Sequence, residues 1–123
     1  MKTKTIQLNP FCTRLVVIVS KDLAKIDRWL KKTAKYDLAD DQKDLFKVND
    51  FHAMILTASA HNEPEDIIMI VQDIKNVSAI VHEAVHVTWE LQRLCGDIFN
   101  YETQETQAYL VDYIVGKVMG IKS

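Results

Sequence analysis

Two kinds of hydrophobic pattern alternate along the chain, and together they predict the order of its strands and helices. Short runs that are apolar at consecutive positions predict buried strands, whereas apolar residues spaced three and four apart predict helices. Residues 3–8 alternate between polar and apolar side chains, which is compatible with a short edge strand. Residues 11–19 predict the first strand of a core, and the segment 15–19 is apolar on both faces, as is typical of a central strand.

The middle of the chain predicts a helix followed by a hairpin. We expect a helix over residues 21–34 with Ser20 as its N-cap. Residues 40–47 are acidic with isolated apolar side chains, which allows either a short helix or a solvated connection. Residues 51–58 and 67–71 predict a second and a third strand, and the turn residues between them indicate an antiparallel hairpin.

Two helices are predicted in the C-terminal third. The first covers residues 77–95, with Asn76 as its N-cap and Gly96 as its stop signal. The second covers residues 101–119 and is apolar nearly all the way round, which is typical of a central helix. The pattern therefore predicts an α+β fold, with about three strands, one N-terminal helix and two C-terminal helices.

Composition and charge limit the kind of protein this is. The chain has 123 residues, 48% of them hydrophobic, which suits one domain over residues 1–123. Its 15 basic and 17 acidic residues are mixed, so it carries neither a basic stripe for nucleic acid nor a polybasic arm for membranes. The N-terminus lacks the apolar core of a signal peptide. With Cys12 and Cys95 interpreted as reduced thiols, we expect a cytoplasmic protein with no nucleic-acid or membrane partner.

The segment His-Glu-Ala-Val-His at 82–86 carries the candidate chemistry. Residues four apart stand on one face of a helix, so His82 and His86 can aim their ring nitrogens at one metal ion. Glu83 then lies beside that ion, where a carboxylate can take a proton from bound water. We expect the core face of this helix to lie elsewhere, on the stripe formed by Val77, Ile80, Val81, Ala84, Thr88, Leu91 and Cys95.

A zinc ion at the two histidines needs a third protein ligand, and the last helix offers candidates. Glu102, Glu105, Tyr109, Asp112 and Gly116 line up along one stripe of that helix. A buried acid is costly unless it is paired or bound to a metal, and the short connection favours antiparallel packing with these faces opposed. Either glutamate suits the role, although Glu102 is also explained by its place near the helix start.

The segment 82–86, followed by Glu105-Thr106-Gln107-Ala108, resembles the gluzincin metallopeptidases, which carry HExxH on one helix and Glu-x-x-Ala on the next. The resemblance covers residues 76–119 and is strongest with minigluzincins and with small metallopeptidase-like proteins of phage and bacterial genomes. It implies a small zincin-like domain. It also implies that His82, His86 and Glu105 bind zinc and that Glu83 is the general base. Asp112 is a candidate for holding a histidine in place, although the family pattern does not match there.

The leading hypothesis is a zinc-dependent metallopeptidase acting on a peptide or protein substrate. Tyr109 and Tyr113 are candidates for stabilising the oxyanion, with core packing as the alternative. His52 and His61 are expected to lie outside the site. Two rival hypotheses remain: a non-catalytic binding module that zinc stabilises, and a metal-free helical domain with an accidental motif. The sequence leaves the oligomeric state open.

Overall fold

A mixed β-sheet forms the middle layer of the fold. The computed structural model describes residues 1–8, 13–48, 52–58, 66–95 and 101–121. In these residues four strands pair in the order β1-β2-β4-β3. They are β1 (Lys2–Gln7), β2 (Arg14–Val19), β3 (Ala53–Ala58) and β4 (Asp66–Val71). The central pair β2–β4 is parallel, and each central strand has an antiparallel neighbour at its outer side.

Helices cover both faces of this sheet. On one face lie α1 (Leu23–Trp29), which continues as a π-helical segment Leu30–Ala34, and α2 (Asp40–Lys47). On the other lie α3 (Val77–Cys95) and α4 (Gln104–Met119), with a 3-10 turn (Tyr101–Thr103) before α4. Side chains of β2 alternate between the two layers, so that Leu15 and Val17 pack beneath α3 and α4 while Ile18 packs beneath α1. The prediction of a central strand covered on both sides is confirmed.

The predicted α+β class is confirmed, but the sheet and the helix count are larger than expected. The alternating residues near the N-terminus do form an edge strand, so the sheet has four strands in the described residues and not about three. The acidic stretch forms α2, since Phe46 is buried there against the α1 layer. The hairpin is confirmed, because β3 pairs antiparallel with β4.

The cap predicted for the first helix is wrong. Ser20 lies just past the end of β2 and is tied to the sheet, because its backbone N–H donates to the carbonyl of Val71 at 3.0 Å. The helix therefore begins later, and Asp22 caps it by accepting a hydrogen bond from the backbone N–H of Lys25 at 3.2 Å. The Ser20 hydroxyl instead accepts from the backbone N–H of Asp22 at 3.1 Å.

Both C-terminal helices are confirmed, and α3 has the predicted cap. The Asn76 side chain accepts a hydrogen bond from the backbone N–H of Ala79 at 3.1 Å. The α4 helix is not central: it buries only one stripe, Leu110, Ile114 and Val118, and its opposite side faces solvent. No helix in the described part of the chain has the length and apolar character to span a membrane. The predictions for Phe11, Cys12, residues 59–65 and Gly96 fall outside the described residues.

Candidate functional site

The α3 helix presents the motif at the boundary between core and solvent. Its fully buried stripe is Ile80, Ala84, Val87 and Leu91. The predicted burial of Val77 and Val81 is wrong, since these side chains are 44% and 38% exposed. Apolar residues occupy more than half of the circumference of α3, so the pattern alone does not select the buried part. The sheet packs against the side of α3 that carries Val87, and Glu83, which is one turn earlier on that side, is therefore nearly buried.

His82 and His86 lie on the solvent side of α3 with their rings close together. The two Nε2 atoms are 3.2 Å apart, and the ring centroids are 4.8 Å apart at an interplanar angle of 68°. Two imidazole nitrogens bound to one tetrahedral zinc ion at about 2.0–2.1 Å would stand about 3.3 Å apart. The observed separation therefore fits one shared ion. It also fits a hydrogen bond in which the N–H of one ring donates to the ring nitrogen of the other, so the two imidazoles can be hydrogen-bonded to each other without metal.

Glu83 lies on the inner side of the same helical turn. Its side chain is nearly buried, at 8% exposure. Burial raises the pKa of its carboxyl above the ordinary value, while His86 and His82 nearby lower that pKa by a smaller amount. A carboxyl held in this way can exchange a proton closer to neutral pH than an exposed glutamate can.

A cavity of about 650 Å³ opens beside the motif, between the N-terminal half of α3, strand β3 and the end of α2. It is lined by Leu45, Val48, His52, Ala53, Asn76, Ser78, Ala79, His82 and Glu83. Strand β3 is an edge of the sheet in the described residues, so this cavity lies beside a strand edge. The motif is thus placed at a cavity wide enough for a side chain of a bound molecule.

His52 is the lining residue that the sequence analysis placed outside the site. The backbone N–H of Gln72 donates to the carbonyl of His52 at 3.0 Å, which extends the β3–β4 ladder by one residue. Since α3 begins soon after Gln72, this pairing brings His52 to the N-terminal part of α3. The hairpin prediction contained this signal, because an antiparallel pair places the start of one strand beside the end of the next.

The structure does not bring Glu105 to the two histidines. Glu105 is exposed, and it is nine residues from buried Ile114, which at 100° per residue places the two on opposite sides of α4. Within the described residues, no group of three or more His, Cys, Asp or Glu side chains is arranged to hold a metal ion. The physical reason is that α4 buries its apolar stripe and leaves its carboxylates hydrated, which avoids the cost of burying a charge. The ligand role of Glu105 therefore rests on the family resemblance alone.

The other candidates on the predicted stripe, in α4 and in the 3-10 turn before it, are also exposed. Tyr109 is 71% exposed, Asp112 and Glu102 are exposed, and a methyl group added at Gly116 would meet no atom within 4 Å. Tyr113 donates its hydroxyl hydrogen to the carbonyl of Gln7 on β1, at the sheet edge opposite to the cavity. None of the described residues that line the cavity belongs to α4. The oxyanion roles of the tyrosines stay predictions.

Comparisons of the chain with models of protein families, with curated proteins and with solved structures find no significant match. The candidate site is therefore interpreted from its own residues.

Proposed function

We propose that this chain is a zinc-dependent metallopeptidase. The observation that carries the proposal is a pair of histidine Nε2 atoms 3.2 Å apart on the same stretch of α3 as the nearly buried Glu83, with His82 and Glu83 lining a cavity. His82 and His86 would hold the ion. The described residues supply two of the three protein ligands that a catalytic zinc takes, and the resemblance assigns the third to Glu105.

Glu83 would act as the general base. Bound zinc supplies a Lewis acid and lowers the pKa of a bound water toward neutrality. The Glu83 carboxylate would take a proton from the attacking water and pass it to the amine that leaves. In the metal-free chain burial raises the pKa of this carboxyl, and the positive charge of a bound zinc ion would oppose that shift.

The substrate would be an extended peptide. Strand β3 borders the cavity and forms a sheet edge, and an edge strand can bind a peptide by adding it as a further strand. Ala53 at the start of β3 lines the cavity, so a peptide that pairs with β3 would pass beside Glu83. The hydrogen bonds of such pairing involve only the peptide backbone, while the cavity would receive one of its side chains.

Elemental analysis of untagged protein tests the metal part of the proposal. We expect near-stoichiometric zinc in the wild type and in Glu83→Gln, and loss of zinc in His82→Gln. Glu105→Ala tests the third ligand, and Glu102→Ala is its matched control, since both carboxylates are exposed near the start of α4. Zinc retained in Glu105→Ala would remove Glu105 from the site. Absence of zinc in the wild type after reconstitution would refute a metallopeptidase.

Mass spectrometry of a digested peptide library tests the reaction. Zinc-loaded wild type should cleave peptides, and Glu83→Gln should lose cleavage while it keeps the metal. Cleavage by Glu83→Gln at the wild-type rate would refute the role of Glu83 as the base.

A second function is a non-catalytic binding module that zinc stabilises. The exposure of Glu105 on the far side of α4 weakens the catalytic assignment, because it leaves the described residues without a third ligand, and a module of this kind would take its remaining ligands from a bound partner. Rapid inhibition by a hydroxamate without unfolding would favour the enzyme, because the inhibitor needs an open coordination position. A zinc-loaded protein that cleaves nothing and ignores the hydroxamate would favour the module.

A further inference from the structure

The cavity beside α3 contains a carboxyl group that the described residues leave without a hydrogen bond. Glu83 is 8% exposed and lines this cavity. In the described part of the chain, Asp27 Oδ1 is the one fully enclosed side-chain oxygen without a hydrogen bond. No described residue donates a hydrogen bond to the Glu83 oxygens either, so these oxygens still reach open space, and the cavity is the opening that Glu83 lines. Burial of a carboxylate is costly unless a cation or a hydrogen-bond donor meets it.

The walls of the cavity supply no permanent cation. The lining residues that the structure describes include no lysine or arginine, and their basic side chains are His52 and His82. His82 and His86 act on the Glu83 carboxyl through their charge, but neither ring donates a hydrogen bond to it. A histidine is mostly neutral above neutral pH, so it gives the carboxylate no lasting positive partner there.

An anion is a poor fit for the same cavity, although the start of α3 lies beside it. The Asn76 side chain already accepts from the backbone N–H of Ala79, which satisfies one donor of the helix end. The N–H of Val77 donates to the carbonyl of Lys75 at 3.0 Å. The Glu83 carboxylate would repel a second negative charge in this partly enclosed space. The charge of the cavity therefore favours a cation.

The rest of the lining suits a short hydrocarbon. Leu45 and Val48, at the end of α2, line the cavity and are 55% and 52% exposed. Ala53 on β3 and Ala79 on α3 add small apolar side chains. A hydrocarbon that covers Leu45 and Val48 would remove apolar surface from water, which favours the bound state. The volume of about 650 Å³ lies within the range of small-molecule sites.

We propose that this cavity binds a small organic amine, with its ammonium group against the Glu83 carboxylate and its hydrocarbon part against Leu45 and Val48. A hydrogen bond between an ammonium and a carboxylate is stronger than one between neutral groups. The binding needs neither metal nor hydrolysis, so it goes beyond the proposed function. Where the proposed function also holds, a bound amine would occupy the general base and inhibit hydrolysis.

NMR titration of the metal-free, untagged full chain tests the proposal in an amine-free buffer at about pH 7.5. The probes are n-hexylamine, 1-hexanol and hexanoate, which have hydrocarbon chains of similar length and differ in charge. An alkylamine remains an ammonium there, because it resembles the lysine side chain. We expect n-hexylamine to bind about tenfold or more tightly than hexanol, and hexanoate to bind more weakly than hexanol. Equal affinity for the amine and the alcohol, or tighter binding of hexanoate, would overturn the proposal.

Glu83→Gln tests the ammonium contact, because it keeps the shape of the side chain and removes its charge. We expect its affinity for n-hexylamine to fall to that for hexanol. Asp112→Asn is the matched control: it also exchanges a carboxylate for an amide, but Asp112 is exposed on α4, which contributes none of the described lining residues. It should bind n-hexylamine as the wild type does. Wild-type affinity in Glu83→Gln would overturn the role of Glu83.

Two measurements on chains with Glu83 intact keep the test independent of the folding of that variant. In the wild type, the amide signals of Ala53, Ser78 and Ala79 should shift with n-hexylamine, and shifts confined to other parts of the chain would overturn the site. From n-butylamine to n-hexylamine, affinity should rise about two- to fourfold per methylene, and less in Leu45→Ser. No dependence on chain length would overturn the hydrocarbon contact.

A lysine side chain in a peptide carries the same chemistry as a free amine. A blocked five-residue peptide with lysine at its centre, compared with the same peptide carrying norleucine, separates the two sources. Binding of the lysine peptide about tenfold or more tightly than n-hexylamine would assign the occupant to a peptide, and weaker binding would assign it to a free amine. A norleucine peptide that binds as tightly as the lysine peptide would contradict the ammonium contact. The proposed function is tested by zinc content, so either proposal can fail alone.

Discussion

The rotation of α4 about its axis can be measured with two substitutions of opposite effect. At Gly116 an added methyl group would meet no atom within 4 Å, so Gly116→Ala introduces no clash. Glycine inside a helix is less favourable than alanine by about 0.5–1 kcal/mol, so Gly116→Ala should raise the free energy of unfolding by about that amount. Ile114 is fully buried, and truncation of a buried isoleucine to alanine costs about 2–5 kcal/mol.

Urea denaturation and thermal melts followed by circular dichroism would measure both effects. For a chain of this length, 1 kcal/mol corresponds to roughly 4 °C in Tm. We therefore expect Gly116→Ala to melt about 2–4 °C above the wild type and Ile114→Ala to melt about 8 °C or more below it. Gly120→Ala is the control, because Gly120 is only the C-cap of α4 and an added methyl group there makes ordinary contacts at 3.4 Å and 3.6 Å. Its effect should be smaller than that of Gly116→Ala.

The opposite pattern would refute the described orientation of α4. If Gly116→Ala destabilises the protein while Ile114→Ala costs less than about 1 kcal/mol, the face with Gly116 is packed inside. Glu105 lies on the same face as Gly116, so this result would mean that its carboxylate faces the interior, as the family resemblance implies. The stability measurement thus tests the third ligand without any metal present.

Three further predictions concern the remaining contacts. Asn76→Ala should lower the free energy of unfolding by about 1 kcal/mol, because the N-cap bond from Ala79 is lost. Asn76→Asp should retain most of the wild-type stability, since aspartate can accept the same bond. Equal melting temperatures for all three proteins would contradict the cap. In the metal-free protein, the raised pKa of Glu83 means that the folded chain binds more protons than the unfolded chain between the two pKa values, so stability falls as the pH rises through that window. Glu83→Gln should therefore melt above the wild type at pH 7 in EDTA, with the difference gone below about pH 4, and a constant difference at every pH would contradict this. Arg14→Gln removes a partly exposed ion pair with Asp66 at 2.9 Å, and we expect a loss of less than about 1 kcal/mol that shrinks in high salt.

Local signals were sufficient for most of the fold. Residues 15–19 are apolar at every position and mostly β-branched, and such a short run favours a strand that is covered on both faces. Asn76 precedes a long helical pattern, and its side chain makes the expected cap. The misplaced N-cap at Ser20 shows the limit of local signals, because the bond from its backbone to Val71 depends on a strand that lies far away in sequence.

The candidate site was only partly predictable for the same reason. His82, Glu83 and His86 lie within five consecutive residues of one helix, so helical geometry alone sets their relative positions. Glu105 depends on which side of α4 is buried, and a helix with apolar residues nearly all round does not reveal this in its sequence. His52 comes to the cavity through strand pairing, which no spacing within its own segment indicates.

The parallel pairing of β2 with β4 makes the centre of the sheet the most demanding part to assemble. Arg14 and Asp66, at the paired ends of these strands, are separated by 52 residues, whereas only residues 59–65 lie between β3 and β4. Closure of the larger loop costs about 1.7 kcal/mol more in chain entropy than closure of the hairpin, if the cost grows with the logarithm of loop length. The β1–β2 pair, the β3–β4 hairpin and the α3–α4 pair can each form early from neighbouring segments, and the parallel contact of β2 with β4 would form last. The rate of folding should therefore depend most on substitutions in β2, such as Val17→Ala, and less on substitutions in α3.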